Sequence, residues 1–284
     1  MKVIILGGNG NLGTQLRQAW PEALAWDQED FDFLDFPVLQ ERLESMRPEL
    51  IINAVAYNAV DKCEADQDEL ALAYRLNRDL VKRLAEIAVN LSVSLIHYST
   101  DYVFSGDESR PSFKEDDVPN PINKYGLTKA AGEQALAQVA ANSHLFYYLI
   151  RTSKLFGPRG ASPLAKISFF DLMLSLAEKG EEIKIVAEEV SNFTYTTDLA
   201  QATKALFESR PAKGIYHLTN SGSATWFQAA EELFRLKGLK PALKAVRGAD
   251  LARPARRPAY SILKNNKLKP LRPWTEALKE YLNL

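Results

Sequence analysis

Tyr125 and Lys129 are the two side chains of this sequence best suited to moving a proton. They lie in the segment Tyr-Gly-Leu-Thr-Lys, and a spacing of four places both on one face of a helix. A free tyrosine titrates near about 10, and a nearby ammonium lowers that pKa because it favours the phenolate. The pair therefore predicts a tyrosine general acid for a carbonyl oxygen, beside a lysine that holds a nicotinamide ribose. The alternative is an exposed helix pair, since this spacing is common by chance.

A glycine-rich turn near the N-terminus has the pattern that cradles a dinucleotide pyrophosphate. It lies between an apolar strand-like run, Val3–Leu6, and a helical pattern that ends at Trp20. Glycines let the backbone approach phosphates, and the helix that follows offers unpaired N–H groups and a positive dipole end. A plain strand–helix turn is the alternative. The expected cofactor-binding residues of the turn are Gly7, Gly10, Asn11, Leu12 and Gly13.

Two later strand ends supply further candidates for the dinucleotide site. Asp27 and Asp32 follow the second strand at the distance where an acidic residue meets the adenosine ribose, although solvated loop acids are the alternative. The third strand runs into Ala54, Ala56 and Tyr57, and small residues there leave room for a cofactor. Without the other motifs, packing of these alanines under a helix is an equal alternative.

The fourth strand ends in a Ser-Thr-Asp cluster ahead of the Tyr/Lys pair. Thr100 at this strand end can hydrogen-bond either the substrate oxygen or Tyr125, and Asp101 follows it. A turn-forming Ser/Thr/Asp cluster is the alternative. The histidines at positions 97, 144 and 217 are scattered, and we expect packed or surface residues there rather than metal ligands.

The alternation of strands and helices predicts an α/β fold, a doubly wound, Rossmann-like parallel sheet with a smaller C-terminal lobe. We assign residues 1–150 to the NAD(P)-binding domain. Residues 151–284 are assigned to a substrate-binding lobe, interleaved with returning Rossmann segments. The predicted helices are 11–20, 37–46, 68–90, 125–141, 163–179, 198–208, 225–236 and 274–282; the predicted strands are 3–6, 23–26, 50–54, 94–98, 145–150, 182–186 and 214–218.

Composition narrows the class of protein. The 284 residues carry 35 Lys and Arg against 36 Asp and Glu, and this balance argues against a general nucleic-acid binder. The single cysteine, Cys63, excludes an intrachain disulfide, so a cytoplasmic enzyme is the simplest interpretation. No apolar run reaches the roughly 18–20 residues of a membrane helix, and the N-terminus lacks a signal-peptide pattern. We therefore expect neither nucleic acid nor membrane as a partner.

Taken together, these stretches resemble the dTDP-4-dehydrorhamnose reductases, a family of extended short-chain dehydrogenase/reductases. The glycine turn and the Tyr/Lys pair are shared with the wider superfamily, whereas two other stretches are specific to this family. The segments that carry the resemblance are Gly7–Gly13, Asn53–Glu64, Ser99–Phe104, Tyr125–Lys129, Arg151–Ser153 and Arg256–Pro258.

The resemblance implies NADPH- or NADH-dependent reduction of the 4-keto group of a dTDP-4-keto-6-deoxy sugar, the last step to dTDP-rhamnose. Tyr125 would donate the proton, Lys129 would bind the cofactor, and Thr100 would tune the tyrosine. Thr100 and Asp101 would touch the nucleotide-sugar substrate, for which Lys154 and Arg257 are further candidate ligands. Some members dimerise around magnesium, so Mg²⁺ and a homodimer are possible, although the sequence itself has no recognisable metal site.

Two departures from the family pattern fall in the expected substrate region. Lys154 replaces a tryptophan that stacks on the substrate, and a cation there would instead pair with a diphosphate. Ala187–Thr194 lacks the glycine and proline that the family has in the corresponding segment. These changes keep open a non-catalytic regulatory subunit, of the kind that serves methionine adenosyltransferase. A nucleotide-sugar epimerase or dehydratase of the same superfamily is the other alternative.

Overall fold

The computed structural model describes all residues, 1–284, and contains fourteen strands. Six of them form the central sheet and the other eight pair into two-stranded sheets. The strands are β1 (Val3–Leu6), β2 (Leu24–Trp26), β3 (Leu50–Asn53), β4 (Ser94–Thr100), β5 (Ser112–Phe113), β6 (Tyr147–Thr152), β7 (Leu155–Phe156), β8 (Ile183–Val186), β9 (Thr194–Tyr195), β10 (Gly214–His217), β11 (Asn220–Ser221), β12 (Leu243–Val246), β13 (Ile262–Leu263) and β14 (Leu271–Pro273).

Ten α-helices connect and cover these strands, and a π-helical turn, Arg75–Asp79, joins the fourth helix to the fifth. The helices are α1 (Asn11–Ala19), α2 (Phe36–Met46), α3 (Val60–Ala65), α4 (Gln67–Tyr74), α5 (Leu80–Leu91), α6 (Lys124–Ala141), α7 (Phe169–Glu178), α8 (Thr196–Ser209), α9 (Trp226–Lys237) and α10 (Trp274–Tyr281).

The central sheet is parallel throughout, with the strand order β2, β1, β3, β4, β6, β10. The strand order reverses between β1 and β3, and the crevice at such a reversal is where doubly wound folds bind nucleotides. Strands β1 and β3 are buried along their whole length, as expected for a sheet covered by helices on both faces. The predicted fold class is confirmed.

Separate apolar cores lie on the two faces of the sheet, and a third core lies in the C-terminal part of the chain. This third core is built from α7, α9, α10 and the short strands, with Phe156, Phe170 and Phe193 at its centre. The chain also returns to the sheet, because β10 pairs with β6 and α8 packs on α1.

The predicted elements lie within two residues of the observed bounds, apart from two helices. The helix expected over Asp68–Asn90 is interrupted by the π-helical turn. The turn changes which apolar residues of this segment face the core. Leu72 is therefore 37% exposed, whereas Leu80 and Leu84 are fully buried. The helix expected from Pro163 begins only at Phe169, because the Ser168 hydroxyl caps it by accepting the Asp171 N–H.

A buried ion pair joins α6 to β6 beneath the carboxyl edge of the sheet. Arg151 is 1% exposed and donates from Nε and Nη2 to the Glu133 carboxylate at 3.0 and 2.6 Å. His217 on β10 lies on the other side of the guanidinium, with Nε2 3.5 Å from Nη1. Burial and this positive charge lower the pKa of His217 to about 3, so the imidazole is neutral.

Glu133→Ala leaves the Arg151 guanidinium buried without its carboxylate. We expect the free energy of unfolding to fall by about 3–5 kcal/mol, because an uncompensated charge remains in the core. Urea denaturation measures this. Glu86→Ala, which removes the partner of the more exposed Lys82 and Arg83, is the matched control and should cost less than about 1 kcal/mol. Equal losses in the two variants would contradict the buried pair's role.

Candidate active site

The carboxyl ends of β1, β3 and β4 bring three of the sequence motifs to one edge of the sheet. Gly7 follows β1, Ala54 follows β3, and Thr100 ends β4. A Cβ placed on Gly7 would lie 3.1 Å from the Ala54 carbonyl carbon, so the first two segments are in close contact. Helix α6 carries Tyr125 and Lys129 onto the same edge, because it packs along β4.

The glycine turn presents an open helix N-terminus at this edge. No side chain caps α1, so its first backbone N–H groups are available to an anion. Gly13 permits the tight turn, since a Cβ there would lie 1.9 Å from the Gly7 carbonyl oxygen. The neighbouring residues Gly10, Asn11 and Leu12 form the entrance to the helix. This arrangement fits a dinucleotide pyrophosphate.

The two candidate ribose ligands occupy different environments. Asp27 is buried at the end of β2 and accepts the Asn9 N–H at 2.8 Å, which ties it to the glycine turn. Asp32 is exposed and accepts the Leu34 N–H within a local turn. It forms no hydrogen bond with the glycine turn. Arg17 was missed from the sequence; its Nη1 donates to the Asn9 side chain at 3.1 Å. A guanidinium therefore lies next to the glycine turn.

Tyr57 is positioned by the π-helical turn. The Asn77 amide accepts the Tyr57 N–H at 2.9 Å and donates to the Tyr57 carbonyl at 3.0 Å. It also donates to the Thr128 hydroxyl on α6 at 2.9 Å. Asn77 therefore couples the segment after β3, including the exposed Ala56, to the helix of the Tyr/Lys pair.

Tyr125 is 9% exposed and packs edge-on against Tyr102. Burial raises its pKa, while its interaction with the Thr100 hydroxyl opposes the rise. The expectation of a pKa lowered by the lysine is wrong for the free protein, because the Lys129 amine points elsewhere. The phenol consequently keeps its proton throughout the neutral pH range, as a proton donor requires.

The Lys129 amine is buried against β4. It donates to the Tyr98 carbonyl at 2.7 Å and lies 3.5 Å from Nε2 of His97. Burial lowers the pKa of Lys129 to about 8, and the Glu133 carboxylate opposes the shift. His97, expected to be an ordinary packed residue, therefore touches a predicted catalytic side chain.

A second polar cluster lies beside the phenol. The Thr100 hydroxyl donates to Asp101 Oδ1 at 3.1 Å, and the Ser261 hydroxyl donates to Oδ2 at 2.6 Å. Burial raises the pKa of Asp101 and lowers that of Lys154, and the attraction between the two charges opposes both shifts. The structure thus links Lys154 electrostatically to the Thr100–Tyr125 pair.

Comparison with known proteins places this geometry in a family. The family model "RmlD substrate binding domain" matches residues 1–284. The chain is 33% identical to dTDP-4-dehydrorhamnose reductase of Escherichia coli, covering 100% of this chain and 97% of that one. It is 36% identical to a probable dTDP-4,6-dihydroxy-2-methyloxan-3-one 4-ketoreductase of Streptomyces antibioticus, covering 99% and 94%.

A solved structure agrees with the sequence matches. The Bacillus anthracis dTDP-4-dehydrorhamnose reductase in complex with NADP superimposes with a TM-score of 0.90 at 32% identity, covering 99% of this chain and 98% of that one. The chain belongs to the dTDP-4-dehydrorhamnose reductase family.

In this reductase, Lys154 lies in an aromatic cage. Its Nζ is 4.3 Å from the ring centre of Trp226 and 4.8 Å from that of Phe193. It also donates to the Glu189 carbonyl at 2.9 Å. The ammonium is thus held by protein groups. An aromatic ring is still present beside position 154, but Trp226 on α9 supplies it.

Segment 187–194, which lacks the glycine and proline of the family, has two side chains that point into the protein. Phe193 is 1% exposed in the third core, and the Asn192 amide accepts the Leu263 N–H at 2.8 Å. We expected both changed regions to face the substrate. Phe193 instead packs in the third core, and Asn192 ties the segment to β13.

Arg257 contacts the first turn of α3. Its guanidinium forms a bidentate ion pair with Asp61, with both contacts at 2.6 Å. The pair borders a cavity of about 290 Å³ whose lining also includes Asn58, Lys62 and Lys166. Three cationic side chains and one carboxylate therefore line this cavity.

A strap of residues 159–166 covers the glycine turn of the reductase. The Gly160 N–H donates to the Asn11 side chain at 2.9 Å, and the Ser162 N–H donates to the Asn9 carbonyl at 2.8 Å. At its end, Lys166 Nζ donates to the Asn58 carbonyl at 2.9 Å. The strap thus bridges the segments that follow β1 and β3. No local sequence pattern predicted this strap.

No group of three or more His, Cys, Asp or Glu side chains in the structure is arranged to hold a metal ion. None of its helices is both long and apolar enough to cross a membrane.

Gly160→Ala tests the strap. The added Cβ would lie 2.4 Å from the Asn9 carbonyl oxygen and 2.5 Å from the Gly10 carbonyl carbon, so the strap must lift. We expect the Kd for NADPH to rise roughly tenfold with little change in Tm, because the displaced strap no longer closes the crevice. Isothermal titration calorimetry measures this, with the exposed Ala161→Ser as control. An unchanged Kd for NADPH in Gly160→Ala would show that the strap does not contribute to cofactor binding.

Proposed function

We propose that this protein catalyses the NAD(P)H-dependent reduction of dTDP-4-dehydrorhamnose to dTDP-rhamnose, a precursor of cell-surface polysaccharides. The observation that carries the proposal is the convergence of Thr100, Tyr125 and Lys129 on the sheet edge that holds the glycine turn. The names of the relatives, all at about one third identity, support the same reaction class.

The crevice between β1 and β3 is the proposed cofactor site. The pyrophosphate would lie at the uncapped start of α1, with Gly7, Gly10 and Gly13 allowing its close approach. Asp27 would hold the adenosine ribose, and Ala54, Ala56 and Tyr57 would border the crevice beyond β3. Asp32 is an exposed second candidate for the ribose. When bound, the reduced nicotinamide supplies the hydride.

Tyr125 is the proposed proton donor to the sugar oxygen. Its phenol has a raised pKa and so stays protonated until the negative charge develops on that oxygen. Thr100 would orient the phenol, because its hydroxyl interacts with Tyr125 while donating to Asp101. Lys129, on the same helix face, would hold the nicotinamide ribose.

The lobe formed by residues 151–284 would bind the nucleotide sugar over this edge. Arg257 borders the cationic cavity, where a diphosphate would find compensating charge. Asp101 and Thr100 lie close enough to the phenol to meet the sugar. Lys154 would add positive charge on the sugar side, and Trp226 would offer the aromatic face that the family has at position 154.

Several finer features belong to the same proposal. Arg17 beside the glycine turn would accommodate a 2′-phosphate, which favours NADPH over NADH. We propose a cytoplasmic enzyme. A homodimer and a magnesium ion are what the family resemblance implies, and activity measured in EDTA tests the ion.

The alternatives make different predictions. A non-catalytic regulatory subunit would not need Tyr125, Lys129 and Thr100 together, so their joint retention favours the enzyme. An epimerase or dehydratase regenerates its bound cofactor and consumes no reduced nicotinamide.

Tyr125→Phe removes the donated proton and keeps the packing of the ring. We expect turnover to fall by roughly 10²–10⁴-fold while the Kd for NADPH stays within a factor of about two. Tyr147→Phe, at the opposite end of the sheet, is the matched control and should turn over normally. Unchanged turnover in Tyr125→Phe would show that this tyrosine is not the proton donor.

A further inference from the structure

His97 lies between an amide and a catalytic lysine beneath the proposed cofactor site. It is 1% exposed on β4. Its Nδ1 is 3.1 Å from Nδ2 of Asn53 on the neighbouring strand β3, and its Nε2 is 3.5 Å from Nζ of Lys129. No other imidazole in the chain touches a residue of the proposed mechanism.

The orientation of the Asn53 amide fixes the tautomer of this imidazole. The Asn53 Oδ1 accepts the Val55 N–H at 3.1 Å, so the oxygen is committed to the backbone and the Nδ2 group faces His97. An amide nitrogen only donates, and Nδ1 must therefore accept. Burial and the charge of Lys129 lower the pKa of His97 well below its usual range. The neutral ring consequently carries its proton on Nε2.

That Nε2–H group points at the lysine amine. An ammonium has three donors and no acceptor, so it cannot form a hydrogen bond with Nε2–H, whereas a neutral amine has a lone pair that can accept. The amine retains its bond to the Tyr98 carbonyl in either form. The imidazole therefore stabilises the neutral amine relative to the ammonium.

We propose that His97 is a positioning residue that disfavours the ammonium form of Lys129 in the free protein, so that dinucleotide binding at alkaline pH is accompanied by proton uptake. The inference rests on the proposed function at one point, the placement of Lys129 at the nicotinamide ribose. A dinucleotide is an anion that brings ribose oxygens to the amine, and both features favour the ammonium.

The remaining groups around the amine do not reverse this preference. The Glu133 carboxylate on the same helix favours the ammonium, but it is engaged in the bidentate pair with Arg151 on β6. Tyr125 is a neutral phenol, and burial raises the pKa of the Cys63 thiol on α3 to about 11. Asn53 and Asn77 contribute neutral amides from β3 and the π-helical turn.

The direction of the pH dependence follows from the lysine. Burial lowers the pKa of Lys129 to about 8 in the free protein, and the bound cofactor raises it. Below pH 8 the amine is already protonated, so binding takes up no proton and the Kd for NADPH is constant. Above it, binding must supply the proton, and the Kd rises about tenfold per pH unit until the bound-state pKa is passed.

The experiment is calorimetric titration of NADPH into the protein from pH 7 to 9.5, in buffers of different ionisation enthalpy. We expect the wild type to take up about one proton near pH 9. His97→Asn can still meet Asn53 but has no group at the Nε2 position. The pH above which its Kd for NADPH begins to rise should therefore be higher by about 0.5–1 pH unit, and proton uptake at pH 9 should be smaller.

His97→Gln and Lys129→Met are the matched variants. Glutamine places an amide N–H near the Nε2 position, so its profile should follow the wild type. Lys129→Met should take up no proton at any pH. Three results would overturn the proposal. The wild type would take up no proton, the pH profile of His97→Asn would coincide with that of the wild type, or the profiles of His97→Gln and His97→Asn would shift equally.

A direct titration of the Lys129 side chain by NMR in the free wild type keeps the proposal testable if the variants fail to fold. The signal is assigned by its loss in Lys129→Met or, if that variant is unfolded, by its proximity to His97. A midpoint near the ordinary 10.5 contradicts the proposal, and a midpoint near 8 agrees with the proton uptake that it requires. Failure of the wild type to bind NADPH would refute the proposed function, whereas a higher Lys129 midpoint in free His97→Asn than in the free wild type tests His97 without any bound cofactor.

Discussion

Two buried cations beneath the carboxyl edge of the sheet, Lys129 and Arg151, constrain the arrangement of the whole site. A buried ammonium or guanidinium costs several kcal/mol unless compensated by nearby groups. Arg151 obtains a bidentate carboxylate from Glu133, one turn of α6 beyond Lys129. Lys129 donates to the Tyr98 carbonyl, whereas the neutral His97 imidazole beside it offers the ammonium no acceptor. These contacts fix α6 against β4 and β6, and the position of Tyr125 follows from them.

Local patterns predicted the parts of the site that lie within one strand–turn–helix unit. The apolar strand, the glycines and the helix of the first turn each have a sequence signature, and Thr100 could be placed because it ends a strand. Asn77, His97 and Trp226 had no such signature. Each acts through a contact with a residue tens of positions away, and a single sequence does not show which distant side chains meet. The π-helical turn and the strap were not predicted, because they too depend on contacts with residues distant in the sequence.

Lys154 shows how a change at one position is absorbed by the fold. A tryptophan was expected there to stack on the substrate. In this chain the amine is enclosed by Trp226 and Phe193 and bound to a backbone carbonyl, and its charge acts on Asp101. The aromatic surface and the positive charge therefore lie side by side on α9 and after β6. The change alters the charge beside Thr100 and leaves the residues of the proposed proton transfer in place.

The most direct test of the proposed reaction is the stoichiometry of reduced nicotinamide consumed with a dTDP-4-keto-6-deoxy sugar, followed by absorbance with NADPH and with NADH. We expect one equivalent of cofactor to be oxidised for each keto group reduced, with NADPH preferred. Binding of NADPH without its oxidation by the keto sugar, or conversion of the sugar without net loss of absorbance, would contradict it.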